Sequence, residues 1–475
     1  MMQRLFPYAE SLALHTDLYQ LTMAYGYWKK KIDQREAVFQ LFFRKLPFNG
    51  SLAICAGLEQ VVEYMQALRF SKEDLDYLGS LQLFDKEFLE FLSALTITCD
   101  LDAIPEGTPV FPQEPLLRVQ GPLLQAQMLE SAILNIVNFQ TLIATKAARI
   151  VSAAQEDPVI EFGLRRAQGI DGAFSATRAA FIGGAVGTSN VLAAKALSIP
   201  LRGTFAHSWV MAFAREEEAF ELYGELFPKN AIFLIDTYDT IPALYKAIRV
   251  AKRLRHRGFE MSGVRIDSGD LAELSIEIRS ILDREGFQNA KIMASSELDE
   301  TRIRQLKERG AKIDLWGVGT NLVTGGNQSA CDGVYKLSAM RDLQGRWQQK
   351  LKISQQNEKR TNPGILQVRR FASRDRYIGD MLYDMIKEVP SGYEIVPFGS
   401  KAAQKIGEYD HSTDLLEPIL RHGKRVRPPT LLSAIQGYSK KEQSRFCENP
   451  ERYLLSLERS LFDTKEELIE EMLNR

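Results

Sequence analysis

From Val159 to Asn321 the chain repeats one unit seven times: a short apolar run, a polar or glycine-rich end, then an amphipathic stretch. The runs are VIEFGLRR, IGGAVGTSN, LRGTFAHS, AIFLIDTYD, GVRIDSGD, KIMASSELD and DLWGVGTN. Their spacing of about 20 to 30 residues is the length of one strand plus a crossover helix. Seven such units in succession predict a parallel β/α barrel, with an open doubly wound sheet as the alternative. The pattern recurs, but the sequences of the units do not repeat.

The flanks read differently. AVFQLFFRKLP near the N-terminus alternates poorly, which predicts a strand buried on both faces. Five prolines (105, 109, 112, 115 and 122) forbid helix before residue 123 and mark a boundary. A helix is predicted from about Leu123 to Ala154, where apolar residues recur at three- and four-residue steps. Beyond Gly333 come strands with hairpin signals, DLQG at 342–345 and TNPG at 361–364. The last seventy or so residues turn polar and predict helices, with Asp463 as N-cap and Glu466 at the capping-box position.

Charge and cysteine usage exclude whole classes of partner. Sixty basic against sixty-one acidic side chains leave a net charge of −1, so no global field favours nucleic acid or an anionic membrane. The stretch Met128–Ala154 is interrupted by Glu130, Asn135, Asn138, Gln140 and Lys146, too polar to span a bilayer. Cysteines 55, 99, 331 and 447 lie far apart, which suits a reducing compartment rather than a disulfide framework. The first seventeen residues carry no apolar core with a cleavage site, so a cytoplasmic location is expected.

In a parallel β/α barrel the ends of the strands converge on one face, and chemistry collects there. The polar ends that should meet are Arg165 and Arg166; Thr188, Ser189 and Asn190; His207 and Ser208; Asp236 and Asp239; Arg265, Asp267 and Asp270; Ser295, Ser296 and Glu297; Gly317, Gly319 and Thr320. Arginines and backbone N–H groups take phosphate oxygens, while carboxylates take sugar hydroxyls or Mg²⁺. The mixture suits a sugar bearing several phosphates, with a divalent ion among them.

Each signal has a plainer reading. The glycines of Trp316–Thr320 allow close backbone approach to a phosphate, or simply a tight strand–helix turn. Arg265 and Asp267 stand two apart, hence on one side of a strand end, as a functional pair or as a surface ion pair. His207 is one of five histidines and lies between a strand and a helix. The basic cluster Lys252–Arg257 precedes Gly258 and reads as helix-dipole compensation on a solvated face. Arg421–Arg427 is a basic surface stretch without interleaved aromatics, and neither cluster suggests nucleic-acid binding.

Thr16–Gln20 (TDLYQ), Glu161–Gly169 (EFGLRRAQG), Gly187–Ala193 (GTSNVLA), Gly203–Ser208 (GTFAHS), Arg265–Asp270 (RIDSGD) and Gly317–Thr320 (GVGT) together resemble the nicotinate phosphoribosyltransferase family. The resemblance covers Thr16 to about Lys336, and the region beyond 400 carries no matching motif. It implies an irregular, TIM-like α/β barrel over 123–340. A mixed α+β domain is implied over 1–122 and 341–400, with a helical C-terminal region over 401–475. It also implies a homodimer with shared active sites. The implied reaction joins nicotinate to phosphoribosyl pyrophosphate, giving nicotinate mononucleotide and pyrophosphate in NAD biosynthesis, with ATP as co-substrate and Mg²⁺ as cofactor.

The resemblance also implies roles. His207 is the histidine that ATP phosphorylates, and Asp267 and Arg265 are a ribose-binding carboxylate and its phosphate-contacting neighbour. Phe162 and Tyr19 of the partner subunit sandwich the pyridine ring, with Arg165 beside its carboxylate. Ser296, Gly319 and Thr320 hold the 5′-phosphate, with Thr204, Ser208 and Gly317 further substrate-binding positions. Asp236, Asp239 and Glu297 are metal candidates. Ser189 stands where nicotinamide-using relatives have aspartate, and a neutral hydroxyl favours the acid because a carboxylate would repel it. The alternatives are a nicotinamide phosphoribosyltransferase and a non-catalytic phosphoribosyl- or nucleotide-binding homologue.

Overall fold

The computed structural model describes residues 12–354, 356, 359–387, 393–446 and 453–474. Cys447 and the first eleven residues, on which the leader reading partly rested, lie outside that set. The chain divides into two compact units, Lys146–Ser329 and a second one formed by the segments up to Thr145 and from Ala330 onward. The helix Glu130–Ala154 begins in one unit and ends in the other, so the division falls inside a helix rather than at residue 123.

Six of the seven apolar runs form one parallel sheet in the unit Lys146–Ser329. Its strands are β1 (Val159–Glu161), β2 (Gly187–Thr188), β3 (Ile232–Leu234), β4 (Gly263–Ile266), β5 (Lys291–Ser296) and β6 (Leu315–Val318). Their spatial order is β2-β1-β6-β5-β4-β3. Val264, Ile266, Ile292, Ala294, Trp316 and Val318 are fully buried, as continuous apolar strands require when both faces are covered. The expected closed barrel is not found. The run starting at Leu201 makes a single parallel bridge to Thr188, and among the described residues no ladder joins it to β3. Pro200 supplies no N–H and Gly203 no side chain to pack, so this run is too weak to complete a strand.

Crossover helices follow the strands, and several polar strand ends turn out to cap them. Asn190 accepts from Ala193 N–H, Asp270 from Ala272 and Glu273 N–H, and Asp299 from Arg302 N–H. The basic helix Thr240–His256 is ion-paired rather than merely solvated. Arg249 and Arg253 reach Glu217, Lys252 reaches Glu285, and Arg257 lies 3.6 Å from Glu225.

The other unit holds two larger sheets. One has seven strands and is antiparallel, running from the edge strand Trp347–Gln349 through Gly333–Arg341, Glu36–Phe43, Leu117–Pro122 and Asp100–Ala103 to Glu417–Arg421 and Lys424–Arg425. DLQG makes the expected hairpin, with Asp342 accepting from Gln344 and Arg346 N–H. TNPG instead leads into Leu366–Ser373, the start of a six-stranded sheet. The region 401–475 is not a helical tail. It carries the strands Gln404–Lys405, His411–Asp414, Glu417–Arg421, Lys424–Arg425 and Leu454–Glu458, besides the helices Leu432–Ser444 and Arg459–Leu473. Three of those strands, His411–Asp414, Glu417–Arg421 and Leu454–Glu458, pair with partners far away in sequence, which local patterning does not reveal. Glu458 caps the last helix, so Asp463 lies within it and pairs with Arg459. In the second basic cluster Arg421 binds Asp102, and Arg425 binds Glu59.

Gly263 sets the spacing of β4 and β5, because a Cβ there would collide with the Lys291 carbonyl oxygen across the ladder. Gly263→Ala is expected to cost about 2 kcal/mol or more in chemical denaturation, in the range of overpacking penalties. Unchanged stability would show that the two strands can move apart freely.

Candidate active site

The sheet delivers its polar residues at the carboxyl ends of the strands, and Arg265 in β4 is where they meet. Its side chain is 15% exposed, a costly place for a cation unless its donors are used. Arg265 Nε donates to Ser295 Oγ at 2.7 Å from neighbouring β5, and Nη1 donates to Thr204 Oγ1 at 3.1 Å and to the Phe205 carbonyl at 3.4 Å. Nη2 faces Asp267 at 3.7 Å, and the guanidinium lies over the Phe162 ring at 5.6 Å. Burial pulls this guanidinium below its usual range, Asp267 and Asp236 oppose the shift, and Arg165 adds to it. Arginine remains charged under such shifts, so the site keeps a desolvated cation with a second arginine nearby.

His207 begins the short helix His207–Met211. Its Nδ1 lies 3.1 Å from Thr237 Oγ1, and Nε2 lies 3.8 Å from Asp267 Oδ2. The second distance is too long for a hydrogen bond, so Nε2 is a half-exposed nitrogen facing a carboxylate. Asp267 is fixed from behind, because Asp236 Oδ2 accepts from its N–H and from Ser268 Oγ, each at 2.7 Å. The other oxygen, Asp236 Oδ1, is buried without a partner.

Phe162 follows β1, and its N–H donates to the Val318 carbonyl at 2.8 Å. Gly317 makes room for the ring, since a Cβ there would stand 2.7 Å from Phe162 Cδ2. Gly319 caps the short helix that Thr320 begins. Ser296 ends β5 with φ of +141°, a backbone conformation that favours glycine.

The structure thus joins Arg265, Asp267, His207, Thr204, Asp236 and Phe162 in one connected group. Arg165, Ser208, Asp239, Ser296 and Glu297 are exposed on the same set of strand ends, and Ser189 is half-buried. Asp239 and Glu297 make no hydrogen bond or ion pair to the Arg265 group among the described residues. Tyr19 belongs to the other unit, on the helix Leu18–Lys29, and is 47% exposed. The sequence reading did not single out Thr237, which holds the histidine, or Glu161, a buried carboxylate beneath Phe162. Ser295 was among the convergent polar ends but not among the proposed contacts, although it is the nearest partner of Arg265.

Comparison with known proteins shows the family. Residues 14–138 match the model of the nicotinate phosphoribosyltransferase (NAPRTase) N-terminal domain, and residues 158–362 match the nicotinate phosphoribosyltransferase (NAPRTase) family. The nicotinate phosphoribosyltransferase of Bacillus subtilis is 42% identical, over 98% of this chain and 97% of the relative. The chain belongs to the nicotinate phosphoribosyltransferase family. A nicotinate phosphoribosyltransferase of Mycobacterium tuberculosis is also 42% identical, over 90% of each chain. The crystal structure of human nicotinic acid phosphoribosyltransferase superposes with a TM-score of 0.84 at 29% identity, covering 95% of this chain and 99% of that one. Both family segments include motifs that carried the resemblance, and the second includes the whole Arg265 group.

The strained backbone at Ser296 separates two roles of that residue. Ser296→Gly is expected to be about 1 kcal/mol more stable than Ser296→Ala, because only glycine relieves a positive φ. Thermal melting of both variants checks this, and equal stability would show that the +141° conformation carries no strain.

Proposed function

We propose that the chain transfers the phosphoribosyl group of phosphoribosyl pyrophosphate to nicotinate, releasing pyrophosphate and supplying NAD synthesis by salvage of the base. The observation that carries the reading is the desolvated Arg265 with Asp267 and His207 at one strand-end face, inside the matched family segment. Loss of pyrophosphate leaves positive charge on the ribosyl carbon, and the ring nitrogen attacks from the opposite face. Nicotinate needs no general base at that nitrogen. The protein's work is therefore to align two anionic reactants and to hold charge at fixed donors.

Arg265 takes phosphate oxygens and Asp267 takes ribose hydroxyls in this reading. Ser296, Gly319 and Thr320 hold the 5′-phosphate, with Thr204, Ser208 and Gly317 as further substrate-binding positions. Phe162 stacks on the pyridine, Arg165 pairs with its carboxylate, and Ser189 presents a neutral hydroxyl to it. Tyr19 of the partner subunit completes the stack in a homodimer.

ATP is the proposed co-substrate, which places the enzyme in the ligase class. The Nδ1 contact to Thr237 leaves Nε2 of His207 as the nitrogen free to accept the γ-phosphoryl group, with ADP leaving. Mg²⁺ is the proposed cofactor. Among the described residues no three His, Cys, Asp or Glu side chains gather into a metal cluster. The unpartnered Asp236 Oδ1 would hold such an ion together with substrate phosphates and water, and Asp267, whose N–H donates to Asp236 Oδ2, is the adjoining carboxylate. Held by Asp236, the ion would supply positive charge for the leaving pyrophosphate. Asp239 and Glu297 are weaker candidates for holding it. No helix among the described residues is long and apolar enough to cross a membrane, and a cytoplasmic location is proposed.

The test supplies both bases with phosphoribosyl pyrophosphate, with and without γ-labelled ATP. The wild type is expected to convert nicotinate in preference to nicotinamide, to be stimulated by ATP, and to carry an acid-labile label. His207→Ala is expected to lose label and stimulation together. Preference for nicotinamide would contradict the role of Ser189, and label persisting in His207→Ala would remove the phosphohistidine.

A further inference from the structure

Glu161 ends β1 with its side chain sealed from solvent, 1% exposed, directly before the turn that carries Phe162 and Arg165. Its Oε1 accepts from the Gly163 N–H, on the far side of Phe162. Its Oε2 accepts from Thr188 Oγ1 at 2.5 Å and lies 2.9 Å from Thr177 Oγ1. The direction of the Thr188 bond is fixed. As a carboxylate Glu161 can only accept, so the single hydroxyl proton of Thr188 goes to it, while Thr188 Oγ1 accepts from Asn190 N–H at 2.9 Å. The backbone repeats the link, with Ser189 N–H donating to the Glu161 carbonyl at 3.0 Å. Asn190 closes the ring through Thr177 at 3.3 Å and caps the helix that follows.

We propose that Glu161 is a positioning residue that fixes the Phe162 turn against the Ser189 strand end and so sets recognition of the pyridine and its substituent. The inference rests on the reading of the site as a nicotinate site and deepens it. A carboxylate accepts at both oxygens, one for each segment. An amide of the same shape must turn a donor toward one of them, so either the Gly163 N–H or the Thr188 hydroxyl proton loses its acceptor while the volume stays filled. Among the described residues Glu161, Thr177, Thr188 and Asn190 make no hydrogen bond to Arg265, Asp267 or His207, so the phosphoribosyl side keeps its own supports.

Steady-state kinetics of the full-length enzyme test this with Glu161→Gln, Thr188→Val and Thr188→Ser, varying each substrate in turn. Glu161→Gln and Thr188→Val are expected to raise KM for nicotinate by about ten- to a hundredfold, as a misplacement near 1 Å does. They should leave KM for phosphoribosyl pyrophosphate within about twofold and narrow the preference for nicotinate over nicotinamide. Thr188→Ser keeps the hydroxyl and should recover most of the loss. A fall in kcat and melting temperature with both KM values unchanged would assign Glu161 a structural role and overturn the proposal, as would equal defects in Thr188→Ser and Thr188→Val. Should Glu161→Gln fail to fold, the Thr188 pair alone decides. A wild type that makes no nucleotide from nicotinate would instead sink the substrate reading.

Discussion

The site depends on satisfying one mostly buried guanidinium. Arg265 is withdrawn from water, and its donors are taken up by Ser295, Thr204 and the Phe205 carbonyl, with Asp267 facing the remaining edge. None of these partners is near it in sequence except Asp267. Ser295 is delivered by the register of β5 on β4, in which Met293 pairs with Arg265. Thr204 and Phe205 come from the run that fails to become a strand and therefore keeps backbone groups free to accept. The incomplete strand and the buried arginine are in this sense one feature: a regular ladder at 204–205 would compete for the Phe205 carbonyl.

This arrangement resolves how a chain of net charge −1 can take a highly anionic ligand. The basic residues that look most conspicuous in the sequence, Lys252–Arg257 and Arg421–Arg427, contain many side chains tied up in ion pairs with Glu217, Glu285, Asp102 and Glu59. Arg265, the proposed phosphate-binding arginine, instead stands at a strand end and is mostly buried. A cation in a low-dielectric setting interacts far more strongly with phosphate than one on a wet helix face, so placement outweighs number.

Much of this was legible in the sequence because parallel strands announce themselves as apolar runs with polar ends. Six of seven runs became strands, and the polar ends of β4 and the flanking runs became the site. The rest depended on contacts that local patterning does not contain. Asn190 and Asp270 look like site residues in a one-dimensional reading, yet their side chains cap helices. The strands between Gln404 and Arg425 are short and polar, and their partners lie up to some three hundred residues away, so they read as helical or irregular tail. Glu161 opens a quoted motif but carries no role there, for the opposite reason. It sits inside an apolar strand, and only the donors at 163, 177 and 188 reveal why a carboxylate is tolerated there.

The desolvated Arg265 cation, not overall charge, is proposed to bind the phosphoribosyl substrate. Titration calorimetry of phosphoribosyl pyrophosphate into the wild type and Arg265→Gln measures this directly, with melting temperatures to confirm folding. The account predicts at least about a hundredfold weaker binding in the variant, the loss typical of a charge-assisted contact in a desolvated site. Equal affinity in a folded Arg265→Gln would contradict it.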